Sequence, residues 1–128
     1  RISHPNKTFI MVTGKPKIVE KPWGRELWLA NNEKEDYCSK ILDIKEGGGT
    51  HLHFHMLKHE TFYVLSGSLY LRLIDTSNAQ CKEIVIPEGE TIEIPRGKTH
   101  KLMARKGDVR LIETSTFHRD EDSYRIFK

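Results

Sequence analysis

The sequence predicts an all-β protein in which short strands form a sandwich or barrel. One observation is a period of two: Leu69, Leu71 and Leu73 alternate with more polar side chains, as in a strand with one buried face. A second is that glycine and proline interrupt the chain at short intervals, which is typical of turns between strands. Since no stretch has convincing helical periodicity, an all-β architecture is expected.

The expected strands follow one another along the chain. A β-prone run at residues 8–12 is interpreted as an edge or exchanged strand. Residues 37–45 carry apolar side chains on both faces, which predicts a sandwich strand whose outer face is partly covered, for example by a partner subunit. The remaining strand-like pieces are two within 18–29, then 51–55, 60–65, 69–73, 84–86, 92–94, 98–104 and 109–114.

Length and composition favour one globular domain. The 128 residues, 37% hydrophobic and 30% charged, are expected to form a single domain, 1–128, with its core at about 20–115. A formal net charge of +3 argues against a nucleic-acid partner. No apolar run is long enough to span a membrane, and residues 1–7 lack the hydrophobic centre of a secretion signal. A cytoplasmic protein is therefore expected, and the isolated Cys38 and Cys81 are interpreted as buried reduced thiols.

A histidine-rich stretch is the most distinctive part of the sequence. His51, His53 and His55 occupy alternate positions, so a strand would place the three imidazoles on one face. Glu60 opens the next strand-like run, and a short turn would bring its carboxylate back to the histidines. His100 follows a turn marked by proline and glycine and supplies a further imidazole. Imidazoles with one carboxylate suit a single divalent transition metal: Mn, Fe, Ni, Co or Zn.

The spacing of these residues resembles the cupin superfamily. The first of its two motifs appears here as G-x5-H-x-H-x4-E-x6-G, from Gly47 to Gly67, and the second as G-x5-P-x-G-x2-H, from Gly89 to His100. An asparagine that closes the second motif is replaced by Ala104. The resemblance covers residues 37–115 and implies a jelly-roll β-sandwich or barrel. It also implies that one metal ion is bound by the four residues His53, His55, Glu60 and His100.

A second, shorter resemblance concerns function. The segment Lys21-Pro22-Trp23-Gly24 is similar to one found in sugar-phosphate isomerase-type cupins, including the isomerase domain of type II mannose-6-phosphate isomerases. It implies a sugar or sugar-phosphate isomerase or epimerase, whose ligand would be a small molecule. Trp23 and Trp28 would either contact that ligand or close one end of the barrel. Two alternatives stay open: an iron-dependent dioxygenase of a small molecule, and a non-catalytic module that binds a sugar or another small ligand.

Isomerisation requires a base that moves a proton between carbons. With Glu60 assigned to the metal, the candidate bases are His51, Tyr63 and Lys98, and Lys40 or Arg72 are candidates for holding a phosphate.

The sequence also predicts how the chain assembles and how its two ends behave. The hydrophobic surface expected on 37–45 and on the N-terminal run predicts a homodimer. The polar tail at 115–128 is interpreted as a surface segment that packs Tyr124 and Phe127 on the barrel, and His118 has no motif around it.

Overall fold

A computed structural model describes residues 11–75 and 77–126, which form a β-sandwich of the jelly-roll type. Within these residues there are eleven strands and one short 3-10 helix, Asp120–Asp122. The strands are β1 Lys17–Lys21, β2 Gly24–Asn32, β3 Tyr37–Ile44, β4 His53–His55, β5 Glu60–Ser66, β6 Leu69–Asp75, β7 Gln80–Ile86, β8 Thr91–Ile94, β9 Thr99–Met103, β10 Val109–Ser115 and β11 Ser123–Arg125.

Two antiparallel sheets make up the sandwich. The first has six strands in the order β1-β2-β3-β10-β5-β8, and the second has five in the order β11-β4-β9-β6-β7. Strands that are distant in sequence therefore become neighbours: β3 pairs with β10, and β4 pairs with both β9 and β11. This topology brings the histidine stretch, the second motif and the C-terminal segment into one sheet.

The hydrophobic core follows from alternation along the strands. In β3, Leu42 and Ile44 are buried while Ile41 and Asp43 lie on the outer face. Facing strands contribute in the same way, because successive side chains of a strand point to opposite faces of the sheet. The fully buried cluster is Leu42, Ile44, Phe62, Val64, Leu69, Leu71, Ile86, Ile94, Leu102, Ala104, Val109 and Leu111. One edge of this cluster forms the floor of the cavity described below.

Two turns require glycine. Gly24, the first residue of β2, has φ +150°, and an added Cβ would overlap the carbonyl oxygen of Asp43. Gly67, between β5 and β6, has φ +85°, and an added Cβ would meet the carbonyl oxygen of Asp108. A left-handed backbone and the close approach of another strand both favour a residue without a side chain.

Most of the predicted strands are present, with shifts at their ends. The strand expected at 37–45 is β3, whereas the strand expected at 51–55 begins only at His53. The run predicted at 8–12 falls mostly outside the described residues, and Met11 and Val12 are not in a strand. Phe127 also lies outside them. Within the described ranges, the chain contains no helix with the length and hydrophobicity that a membrane span requires.

Candidate metal centre and cavity

Three imidazoles converge on the inner face of the five-stranded sheet. His53 and His55 are on β4, and His100 is on the neighbouring β9, where it is directly opposite His53. One ring nitrogen from each lies within 4.8 Å of those of the other two. The histidine spacing and the antiparallel pairing of β4 with β9 together produce a cluster that a single ion can reach.

Each of these imidazoles is oriented by a backbone carbonyl. Nδ1 of His53 lies 2.6 Å from the carbonyl oxygen of His51, and Nδ1 of His100 lies 2.8 Å from that of Lys98. Nδ1 of His55 lies 3.1 Å from the carbonyl oxygen of Asp122. Because a carbonyl only accepts hydrogen bonds, Nδ1 carries the proton in all three rings. The lone pair is then on Nε2, as metal binding through that nitrogen requires.

Glu60, the first residue of β5, places a carboxylate beside the cluster. Its Oε2 lies 3.1 Å from Nε2 of His100 and 3.7 Å from Nε2 of His55. Oε2 of Glu60 and Nε2 of His100 are nevertheless buried without a hydrogen-bond partner among the described residues. Buried polar atoms are seldom left in this way. Unpaired nitrogen and oxygen lone pairs on one centre are the donors that a divalent transition metal accepts, so the residues present fit such an ion.

The charge states of these groups also suit a cation. Burial, followed by the neighbouring His100, lowers the pKa of His53 to about 3. The pKa of His55 is lowered as well, mainly by burial. Burial by itself would raise the pKa of Glu60, but contacts with His100 and Lys58 outweigh it and hold that pKa below its ordinary value. At neutral pH the two imidazoles are uncharged and the carboxylate is ionised.

A buried lysine lies beside the Glu60 carboxylate. Nζ of Lys58 lies 3.4 Å from Oε1 of Glu60 and 2.9 Å from Oε2 of Glu113. All three side chains are almost completely buried. Burial would lower the pKa of Lys58, but Glu113 and Glu60 raise it above the ordinary value, so the amine is charged. The ammonium also donates to Nδ1 of His118, 3.0 Å away.

The C-terminal segment is part of the centre and is not only a surface tail, contrary to the sequence-based interpretation. Asp122 is 3% exposed, and its carboxylate accepts hydrogen bonds from the amides of Met56, Leu57 and Lys58. The same residue supplies the carbonyl that orients His55. β11 then pairs with β4, which places Tyr124 against Phe54 with stacked rings 5.2 Å apart. The C-terminal segment therefore holds the loop between His55 and Glu60 in place.

The centre opens into a cavity of about 580 Å³. Trp28 forms part of its wall, donates from Nε1 to Glu26 and has Nζ of Lys40 4.1 Å above its ring. Lys40 is buried and lies 3.6 Å from Glu26, so its charge is compensated. Trp23 also lines the cavity. The volume is typical of sites that hold a small molecule.

Of the three predicted bases, His51 alone lines the cavity. Tyr63 alternates with the inward-facing Phe62 and Val64, so its side chain is on the outer face of the sheet and that assignment is wrong. Lys98 does not line the cavity either. The phosphate role suggested for Arg72 is also wrong, because this side chain pairs with Glu83 away from the cavity.

Three further residues of the site were not predicted from the sequence: Lys58, Glu113 and His118. Glu113 occupies an inward position of β10, where a charged residue among apolar ones was a usable signal. His118 lines the cavity and has Nε2 2.9 Å from Asp120, but nothing in its sequence context indicates this.

Both cysteines were expected to be buried. Cys38 is buried, whereas Cys81 is exposed.

Comparisons with known proteins agree with this architecture. The sequence profile of the Cupin domain family matches residues 40–117, while no curated protein sequence matches the chain significantly. The capsular polysaccharide assembling protein CapF from Staphylococcus aureus superposes with a TM-score of 0.79 at 20% identity, over 97% of this chain and 34% of CapF. A variant of oxalate decarboxylase from Bacillus subtilis superposes with a TM-score of 0.74 at 16% identity, over 91% of this chain and 33% of the enzyme. The chain thus spans about a third of the length of these proteins, and at such identities the likeness concerns the fold.

Proposed function

This chain belongs to the cupin family, and on that premise we propose that it binds one divalent transition-metal ion and acts on a sugar or sugar phosphate as an isomerase or epimerase. The four proposed ligands are His53, His55, Glu60 and His100. The observation that carries the metal assignment is the orientation of the rings: all three Nδ1 atoms are engaged by carbonyls, while Nε2 of His100 and Oε2 of Glu60 are buried with no hydrogen-bond partner in the described ranges.

The surroundings of the centre support a polar small-molecule ligand. When bound, the metal would hold and polarise a carbonyl and an adjacent hydroxyl. Trp28 gives the cavity an aromatic wall, and the buried side chains of Leu42, Phe62 and Leu102 form its floor. His51 is the exposed imidazole at the cavity and is proposed as the base, because a proton acceptor must reach the ligand directly or through one water.

Metal binding is tested first, by elemental analysis and thermal shift. Purified chain loaded with Mn, Fe, Ni, Co or Zn is expected to retain about one equivalent of one of these metals and to melt at a higher temperature, since a ligand that binds only the native state stabilises it. His100→Ala should abolish both effects while the metal-free fold persists. His59→Ala is the matched control, because His59 lies outside the cluster and contacts Glu93. Equal retention in both variants would refute the proposed centre.

Activity is tested next on the metal-loaded chain. Interconversion of at least one pair in a panel of aldose and ketose phosphates is expected, together with a loss of rate in His51→Gln at unchanged metal content. Oxygen consumption with a small-molecule substrate and no isomerisation would instead identify a dioxygenase. Stabilisation by a sugar without either reaction would identify a binding module.

We also propose that the chain forms a homodimer, through the outer face of the six-stranded sheet. Hydrophobic side chains on that face include Ile41 and Ile112, which are opposite each other on β3 and β10. The cytoplasmic location expected from the sequence stays a prediction.

A further inference from the structure

Cations from both sheets face the opening of the cavity. β1 is the outermost described strand of the six-stranded sheet, and Lys17 and Lys21, four residues apart on it, both line the cavity. β11 is the outermost described strand at one end of the five-stranded sheet, and Arg125 lines the cavity from there. Arg125 is directly opposite His53 in the ladder between β11 and β4, so this cation is next to the histidine cluster.

The entrance cations differ from the interior lysines in their partners. Lys40 is matched by Glu26, and Lys58 by Glu60 and Glu113. In the described part of the chain, by contrast, none of the three entrance cations forms an ion pair with a carboxylate. Their charge is thus available to a ligand.

One acidic residue, Asp120, also lines the entrance. Its side chain is 88% exposed, and its Oδ1 lies 2.9 Å from Nε2 of His118. The hydrogen bond from that imidazole lowers the pKa of Asp120, so the carboxylate is ionised. A single carboxylate facing three cations leaves an excess of positive charge at the opening, before any metal ion is counted.

The aromatic wall connects the entrance to the interior. Nζ of Lys17 lies 4.8 Å from the centre of the Trp28 ring, and Nζ of the buried Lys40 lies 4.1 Å from it. Because Trp28 is directly opposite Lys17 in the β1–β2 ladder, both residues face the same cavity. A ligand that lies along this wall reaches from Lys17 at the entrance towards the buried Lys40.

We propose that Lys17, Lys21 and Arg125 form a subsite that binds the phosphate group of the ligand. Three cations suit a phosphate monoester, which carries a charge of about −1.5 to −2 at pH 7, better than a carboxylate with a single charge. An arginine also matches two phosphate oxygens with its parallel N–H groups. This proposal depends on the proposed function only for the identity of the rest of the ligand.

The test uses metal-free chain, so that it does not depend on the metal centre or on turnover. Inorganic phosphate is titrated at pH 8 and low ionic strength, and binding is measured by calorimetry. The triple variant Lys17→Gln, Lys21→Gln, Arg125→Gln is expected to bind phosphate about tenfold more weakly, since each exposed ion pair contributes modestly to binding. Binding to the unmodified chain should weaken as NaCl is added, because salt screens exposed charges.

A matched triple variant controls for net charge. Lys34→Gln, Lys82→Gln, Lys106→Gln removes three cations that are exposed and do not line the cavity. It should bind phosphate like the unmodified chain. If both triple variants lose affinity equally, or if the entrance variant loses none, the subsite is refuted. Circular dichroism and thermal melting verify that each variant is folded.

Acetate, titrated in the same way, distinguishes the two classes of anion. Weaker binding of acetate than of phosphate is expected, and tighter binding of acetate would overturn the assignment to a phosphate group. Failure of the proposed isomerase is recognised separately, because an inactive chain that binds phosphate through these three residues loses the reaction and keeps the subsite.

Discussion

A single residue, Asp122, links the C-terminal segment to the histidine cluster. Its carboxylate accepts from three successive amides of the loop at residues 56–58, and its carbonyl accepts from Nδ1 of His55. A carboxylate buried with this many donors stabilises a loop that would otherwise leave its amides unsatisfied. It also keeps the His55 ring in the tautomer that presents Nε2 to the centre.

Asp122→Ala is therefore expected to lower the free energy of unfolding by about 3 kcal/mol, because buried amides lose their acceptor. Urea unfolding of the metal-free chain measures this change. Glu121→Ala, which alters the exposed neighbour, should change the free energy by less than about 0.5 kcal/mol. A similar effect of the two variants would show that the loop does not depend on the Asp122 carboxylate.

The two cysteines should differ in reactivity. Cys38 is 1% exposed, and burial, with a contribution from Glu113, raises the pKa of its thiol, whereas Cys81 is exposed on β7. Because the thiolate is the reactive form, a disulfide reagent at pH 8 is expected to titrate one thiol in the native chain and two in denaturant. Cys81→Ser should abolish the native reaction. Rapid reaction of that variant would contradict the burial of Cys38.

The hairpin of β1 and β2 is the element that builds the cavity wall. Its register places Lys17 opposite Trp28 and Val19 opposite Glu26, and all four residues line the cavity. Gly24 packs the start of β2 so closely on the backbone of β3 that an added Cβ would overlap the carbonyl oxygen of Asp43.

Gly24→Ala should destabilise the chain by at least about 2 kcal/mol, from a strained φ and an overlap that cannot relax without moving β3. Chemical denaturation monitors the loss, and tryptophan fluorescence reports on Trp23 and Trp28 in the wall. Gly14→Ala is the control, since no atom lies within 4 Å of its added Cβ. A neutral Gly24→Ala would mean that the hairpin can shift its register.

A hydrophobic stripe crosses the outer face of the six-stranded sheet. Ladder pairing aligns Ile18 with Leu27, Leu27 with Ile41, Ile41 with Ile112, and Ile112 with Tyr63. None of these five side chains is fully buried. A continuous apolar row across five strands is more typical of an interface than of a solvated surface.

The dimer expected from this stripe should be seen by light scattering at micromolar concentration. Ile112→Glu should shift the molar mass towards the monomer, because a charge at the centre of an interface is costly to bury. Val85→Glu, at a 52% exposed position on the other sheet, should leave the dimer intact. A monomeric unmodified chain would rule out this interface.

Much of the architecture could be predicted from local patterns. The period of two at Leu69, Leu71 and Leu73 indicated the buried face of β6, because successive side chains of a strand point to opposite faces of the sheet. The spacing of His53, His55, Glu60 and His100, read as a resemblance to cupins, placed the candidate ligands together, and the structure brings these four side chains to one centre.

The surroundings of the centre were decided by the tertiary structure. Strand parity could not show that Tyr63 faces outward, because the register of β5 depends on its pairing with β8 and β10. Nor could it show that Lys58, Glu113 and His118 meet, since they come from a loop, a strand and the C-terminal segment. A sequence records which face of a strand is apolar, whereas contacts between distant segments exist only after the sheets have paired and packed.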